Sequence, residues 1–89
     1  MEGLKKQFCD IFELSPEVVL DLPLLMMVGQ QKIYLENHKG IALYQADEVK
    51  IRVKSGYLIV TGQDLVIEEI QTDHLSLSGK LTGLNYEQG

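Results

Sequence analysis

The residues of this chain that could carry chemistry are two histidines, His38 and His74, the single cysteine Cys9, and the adjacent carboxylates Glu68 and Glu69. Nucleophilic catalysis needs a base within hydrogen-bond reach of an activated hydroxyl or thiol, and a third group to orient that base. Cys9 falls beside Leu4, Phe8, Ile11 and Phe12, a stripe on which a thiol is expected to be buried and inert. A zinc site draws on three or four converging ligands, usually in locally paired spacing, and no such pair occurs here, so no metal or other cofactor is expected. Glu68 and Glu69 would point to opposite faces of a strand and so cannot act on one substrate. Gly62-Gln63-Asp64 does not open a helix and reads as a turn, not a phosphate cradle. A catalytic trio would have to be assembled from His38, His74 and Cys9 or a nearby carboxylate. No enzyme is expected.

The elements that must position these residues are mostly strands. The stripe Leu4, Phe8, Ile11 and Phe12 has three- and four-residue spacing and predicts an amphipathic helix over residues 1–14. Ser15-Pro16-Glu17 is a helix-start pattern and extends the prediction by a short turn, Pro16 to Leu20. After Asp21-Leu22-Pro23 the chain becomes runs rich in Val, Ile, Leu and Tyr cut by Gly, Asn, Asp or Ser. Strands are predicted near Leu25–Val28, Lys32–Glu36, Gly40–Gln45, Glu48–Val53, Tyr57–Thr61, Leu65–Ile70, His74–Ser78 and Lys80–Tyr86. Val49, Ile51 and Val53 alternate with Lys50, Arg52 and Lys54, the mark of one dry and one wet face. Gly56 is expected to supply the positive φ of a hairpin turn after Lys54-Ser55, and Thr61 to Asp64 a further turn. Gly83, between Leu81 and Leu84, signals a bulge. The fold class that follows is mainly β: an N-terminal amphipathic helix and seven or eight short, mostly antiparallel strands forming a roll, sandwich or small barrel. A β-solenoid is the other architecture that even strand spacing admits.

Eighty-nine residues make one core, with the β domain expected over residues 15–86 and a tail at 87–89. A chain this short buries only about 60–65% of the surface its unfolded form exposes, so self-association would add stability. The net charge is −5 and the eight basic residues are spread thinly, which leaves no basic stripe for a phosphate backbone and opposes nucleic acid as a partner. A single cysteine rules out an internal disulfide and fits a reducing compartment. Charges throughout residues 1–14 leave no signal-peptide core, and the run from Leu22 to Gly29 is too short to span a membrane. A cytoplasmic location is expected.

One long stretch carries a resemblance. Asp21-Leu22-Pro23, Gly29 and Ile33-Tyr34-Leu35-Glu36-Asn37-His38-Lys39-Gly40-Ile41 are similar to the YabP/YqfC family of sporulation proteins, in its YqfC branch. So are Val49 to Val53, Ser55-Gly56, Leu58 to Ile67 and Leu77 to Leu81, which extends the resemblance to roughly residues 14 to 86. Leu24 departs from it, standing where a basic residue is expected. The resemblance implies a protein of endospore-forming Firmicutes, acting in the mother cell, up to the forespore surface, in assembly of the spore envelope or cortex, without an enzymatic activity. It implies protein partners in the sporulation machinery, with any recruitment to a membrane made through such a partner.

Within the shared segment, Asn37 and Gly40 suit a turn between two apolar strands, but a turn does not ask for imidazole at His38, which either caps backbone or touches a partner. The candidate contact surface is therefore Tyr34, Glu36, Asn37, His38, Lys39, Gly40 and Tyr44, because tyrosine brings contact area at low entropic cost. The competing expectation is a small-ligand module binding a cell-envelope component in the mouth of a curled sheet.

Overall fold

A computed structural model describes residues 21–89; the helix expected over residues 1–14, and the short turn after it, lie outside the described residues. Six strands follow one another: β1 (Leu24–Val28), β2 (Lys32–Glu36), β3 (Ile41–Tyr44), β4 (Glu48–Val53), β5 (Gly56–Ile70) and β6 (His74–Gln88). They form one sheet in the order β1-β2-β6-β5-β4-β3, with every neighbouring pair antiparallel. Eight segments were expected and six strands are present among the described residues, because two expected breaks are bends and not ends. Residues 61–64 carry a double register shift within β5, with Asp64 at φ 53°, and Gly79 sits within β6 at φ 141°.

These bends divide the sheet into two halves built alike. In the first half, the hairpin β1–β2 pairs with the opening residues of β6, and these pair in turn with the end of β5. In the second, the hairpin β3–β4 pairs with the start of β5, which pairs with the end of β6. Bending frees backbone N–H groups, and the hairpin turns take them up. Gly79 and Leu81 donate to the carbonyls of Gln31 and Gln30, while Gly62 and Leu65 donate to those of Asp47 and Ala46. Each turn thus seals the bend beside it, as buried donors require.

Alternation along each strand sends one set of side chains between the halves. Ile33, Leu35, Leu75 and Leu77 from the first half meet Val49, Ile51, Val53, Leu58 and Val60 from the second, with Leu65 and Leu81 at the bends, in one continuous buried cluster. A depression of about 290 Å³ lined by Lys39, Arg52, Val53, Ser55 and Tyr57 lies at the β4–β5 turn. At that turn Ser55, and not Gly56, takes the positive φ, at 69°. Gly56 is needed for a different reason, since a Cβ there would run into the backbone of Glu87 on β6.

Candidate functional site

Residues 37–40 carry the chain from the first half to the second, and they are tied to both. Asn37 N–H donates to the Asp73 carbonyl, Lys39 N–H donates to that of Arg52 at 2.7 Å, and Arg52 N–H returns a bond to Gly40 at 2.8 Å. His38 is 6% exposed and sits under this crossing. Its Nε2 lies 2.8 Å from the Gln71 carbonyl, and its Nδ1 accepts from Gly40 N–H at 3.0 Å. One partner only accepts and the other only donates, so a neutral ring with its proton on Nε2 satisfies both. The imidazole is consumed in joining the crossing to the β5–β6 turn. Asn37 adopts φ 65° and Gly40 φ 115°, the conformations their residue types tolerate. Lys39 extends outward toward Asp21, at 3.9 Å.

His74 makes the opposite demand. It opens β6 directly across from Glu36, on the outer face of the first half-sheet. Its Nδ1 is 2.9 Å from Asp73 and its Nε2 is 3.1 Å from Glu69, and since both are acceptors both ring nitrogens must donate. Hydrogen bonds to Asp73 and then Glu69 accordingly raise the His74 pKa above its ordinary 6.5, and the bond to His74 is the main cause that holds Asp73 below 3.8. The ring stacks on Tyr34, with centroids 5.6 Å apart and planes 12° from parallel. Partial burial, followed by the charges of Glu69, Glu36 and Asp73, raises the Tyr34 phenol.

Glu36 completes this group and is its anomaly. The side chain is 7% exposed, and its Oε2 is buried with no hydrogen-bond partner. Buried carboxyl oxygens are nearly always met by a donor, because leaving one bare costs about 1–3 kcal/mol. Glu36 shares the outer face with Tyr34, two residues away, and with His74 opposite. This side of the first half-sheet therefore carries the partly exposed Tyr34–His74 stack, the exposed carboxylates of Glu69 and Asp73, and the buried, unmet carboxyl of Glu36.

Of the residues predicted from sequence, Tyr34 and Glu36 enter this cluster, while Asn37, His38, Lys39 and Gly40 form the crossing beside it. Tyr44 does not join them. It stands on β3 in the other half-sheet, and its hydroxyl accepts from Ile67 N–H at 2.9 Å. His74, Asp73 and Glu69 were absent from the predicted contact surface; the signal for them was the short turn between the runs Leu65–Ile70 and His74–Ser78, which brings Glu69 and His74 together as β5 pairs with β6. The expectation that Glu68 and Glu69 face opposite ways is also corrected. A register shift between Ile67 and Glu69 turns both outward, Glu68 toward Lys32 at 3.6 Å and Glu69 toward His74.

The basic residues of β4 are likewise occupied. Lys50 meets Glu87 at 3.3 Å and lies 4.4 Å from the centre of the Tyr57 ring, Arg52 donates to the Ile41 carbonyl at 3.0 Å, and Lys54, in the turn that follows, meets Asp21 at 2.6 Å. Among the described residues no group of three or more His, Cys, Asp or Glu is placed to hold a metal ion, and no helix is long and apolar enough to cross a membrane.

The His74 clamp sets a pH dependence. His74 binds its proton more tightly when folded, so its contribution to stability is complete below pH 6.5 and is lost as the pH rises through its raised folded value. Asp73 releases its proton more readily when folded, so its contribution is present above pH 3.8 and is lost as the pH falls through the lowered value. Stability from this pair is expected to be greatest between those limits. Urea unfolding across the range should show His74→Gln removing the decline on the alkaline side, and an unchanged profile would show that the clamp is not formed in solution.

The sequence matches the YabP family over residues 23–89. It is also 38% identical over 74 residues to a protein of Bacillus subtilis (strain 168) described as "Uncharacterized protein YqfC", an alignment that spans 83% of this chain and 80% of that protein.

Proposed function

Because the chain belongs to the YabP family, we propose that it is a non-enzymatic assembly protein of endospore formation, acting in the mother cell on the spore envelope or cortex through protein contacts. The observation that carries the contact is the unmet Glu36 carboxyl beside the partly exposed Tyr34–His74 stack. A buried acid without a donor is costly to keep, and such costs concentrate where a surface is shaped for use. The chemistry that answers it is a basic side chain, whose N–H groups would meet the carboxylates while its stem lies against the tyrosine ring. The partner surface is therefore a cationic segment of another protein. His38 serves this surface indirectly, by fixing the crossing that follows Glu36.

Glu36→Met separates the two consequences of this reading. Removing an unpartnered buried acid in favour of an apolar chain of similar size is expected to raise stability by about 1–2 kcal/mol. The same change should weaken capture of the partner. In sporulating cells, a photo-crosslinking residue at position 34 is expected to join one basic protein, with the yield reduced several-fold by Glu36→Met and heat-resistant spores reduced with it. A variant that is more stable and assembles spores normally would sink the proposal, as would equal cross-linking from position 82 on β6.

A further inference from the structure

Among the described residues the bent sheet has four open stretches of edge, and three are guarded. β3 is four residues long and carries a register shift; the end of β5 bears Glu68 and Glu69, with Tyr44 holding Ile67 N–H; the end of β6 bears Asn85 and Glu87. Charges, shortness and bulges of this kind keep edges from pairing with other chains. β1 has none of them. It reads Leu24-Leu25-Met26-Met27-Val28, is regular throughout its pairing with β2, and leaves Met26, Met27 and Val28 40%, 46% and 59% exposed.

We infer that β1 is the homodimer edge of this protein, pairing antiparallel with β1 of a second copy about a two-fold axis at Met26. Charge selects this occupant. Two copies of a chain of net charge −5 repel, and they can approach most readily where neither carries charge. β1 is such a segment, and its pattern is self-complementary: Leu24 falls opposite the partner copy's Val28, Leu25 opposite its Met27, and Met26 opposite itself. The inner face gains as well. Met27 shares that face with Ile33 and Leu77 yet stays exposed because the sheet ends beside it. A second β1 sets a leucine against it and continues the apolar layer. On the outer face, Met26 and Val28 meet Met26 and Leu24 of the copy, and methionine adapts readily at such contacts. The result is one sheet of twelve strands carrying two Tyr34–His74 faces. This inference stands on β1 and not on the Tyr34 face, although it serves the same assembly role.

The register makes a sharp test with the full chain in a Cys9→Ser background. Residues directly opposite in an antiparallel pair have Cα atoms about 4.5–5.5 Å apart, within disulfide range. Met26→Cys is therefore expected to give a disulfide-linked dimer under mild oxidation. Leu24→Cys is not, because the two copies of residue 24 would stand about 14 Å apart along the strands. Sedimentation of the unmodified chain is expected to show a dimer at high micromolar concentration, and Met26→Lys to weaken it at least tenfold while leaving far-UV circular dichroism unchanged. A monomer at every concentration, equal cross-linking by both cysteines, or a dimer indifferent to Met26→Lys would each overturn the inference. Slow amide exchange over residues 24–28 in a monomer would assign the edge to another segment of the same chain, and would also overturn it. A monomer that still cross-links its partner from position 34 removes only the dimer, and a dimer that lacks that cross-link removes only the basic partner.

Discussion

Gly79→Ala is expected to destabilise the domain by about 3 kcal/mol or more. Two costs coincide at this position. The backbone is held at φ 141°, where side chains with a Cβ are strained, and the added carbon would stand 2.8 Å from the Asp64 carbonyl and 3.0 Å from that of Gln63. Both obstacles are backbone of the neighbouring bend in β5, so neither can swing aside. Gly29 is the comparison, because it too has positive φ, at 53°, but nothing lies within 4 Å of its absent Cβ. Gly29→Ala is expected to cost only about 1 kcal/mol, the conformational part alone. Urea unfolding of both variants separates strain from collision. Equal losses would mean that the two bends are not in contact in solution.

Leu77→Ala is the second large effect, at about 3–4 kcal/mol. Leu77 is wholly buried, pairs across β2 with Ile33 and across β5 with Ile67, and faces the core side chains of the other half-sheet. Its surroundings are strand backbone sealed at both ends by hairpin turns, which limits collapse into the cavity and keeps the cost near the upper part of the usual range. Domains of this size carry on the order of 5 kcal/mol in total, so the variant is expected to be largely unfolded near 50 °C. Thermal unfolding followed by circular dichroism checks this. Leu84→Ala, at an edge where the side chain is 37% exposed, should cost less than about 1 kcal/mol. A similar loss at both positions would contradict a core centred between the halves.

The two effects share an origin in the way the sheet turns on itself. A flat antiparallel sheet of six strands buries only one face against something else, and this chain supplies that something by folding its two longest strands. Bulges at residues 61–64 and around Glu68, with Gly79 opposite, set the bend. The same bulges turn Glu69 toward His74, beside Tyr34. Stability and the candidate contact surface thus depend on one set of irregularities.

Several parts of this protein were legible in the residues. The alternation of Val49, Ile51 and Val53 with Lys50, Arg52 and Lys54 placed the dry face of β4 correctly, and the two residues Lys54 and Ser55 form the hairpin turn where expected. Asn37 and Gly40 take the backbone conformations their types permit. The family was legible too, because Ile33 to Ile41 and the apolar runs that follow carry it. These properties are local: they depend on which side of a strand a residue faces, or on what φ its own side chain allows.

What tertiary structure decided is less local. Whether Thr61 to Asp64 and Ser78-Gly79 end a strand or bend one depends on whether the freed N–H groups find acceptors. Those acceptors are carbonyls of Ala46, Asp47, Gln30 and Gln31, which lie far away along the chain. His38 and His74 look alike in sequence, yet one is bonded between two backbone groups and the other between two carboxylates, which raise its pKa. Glu36 is an ordinary polar strand end until the folded chain covers it and leaves its oxygen without a donor. Side-chain chemistry set what each residue was able to do, but the long-range pairing of β5 with β6 determined which groups met.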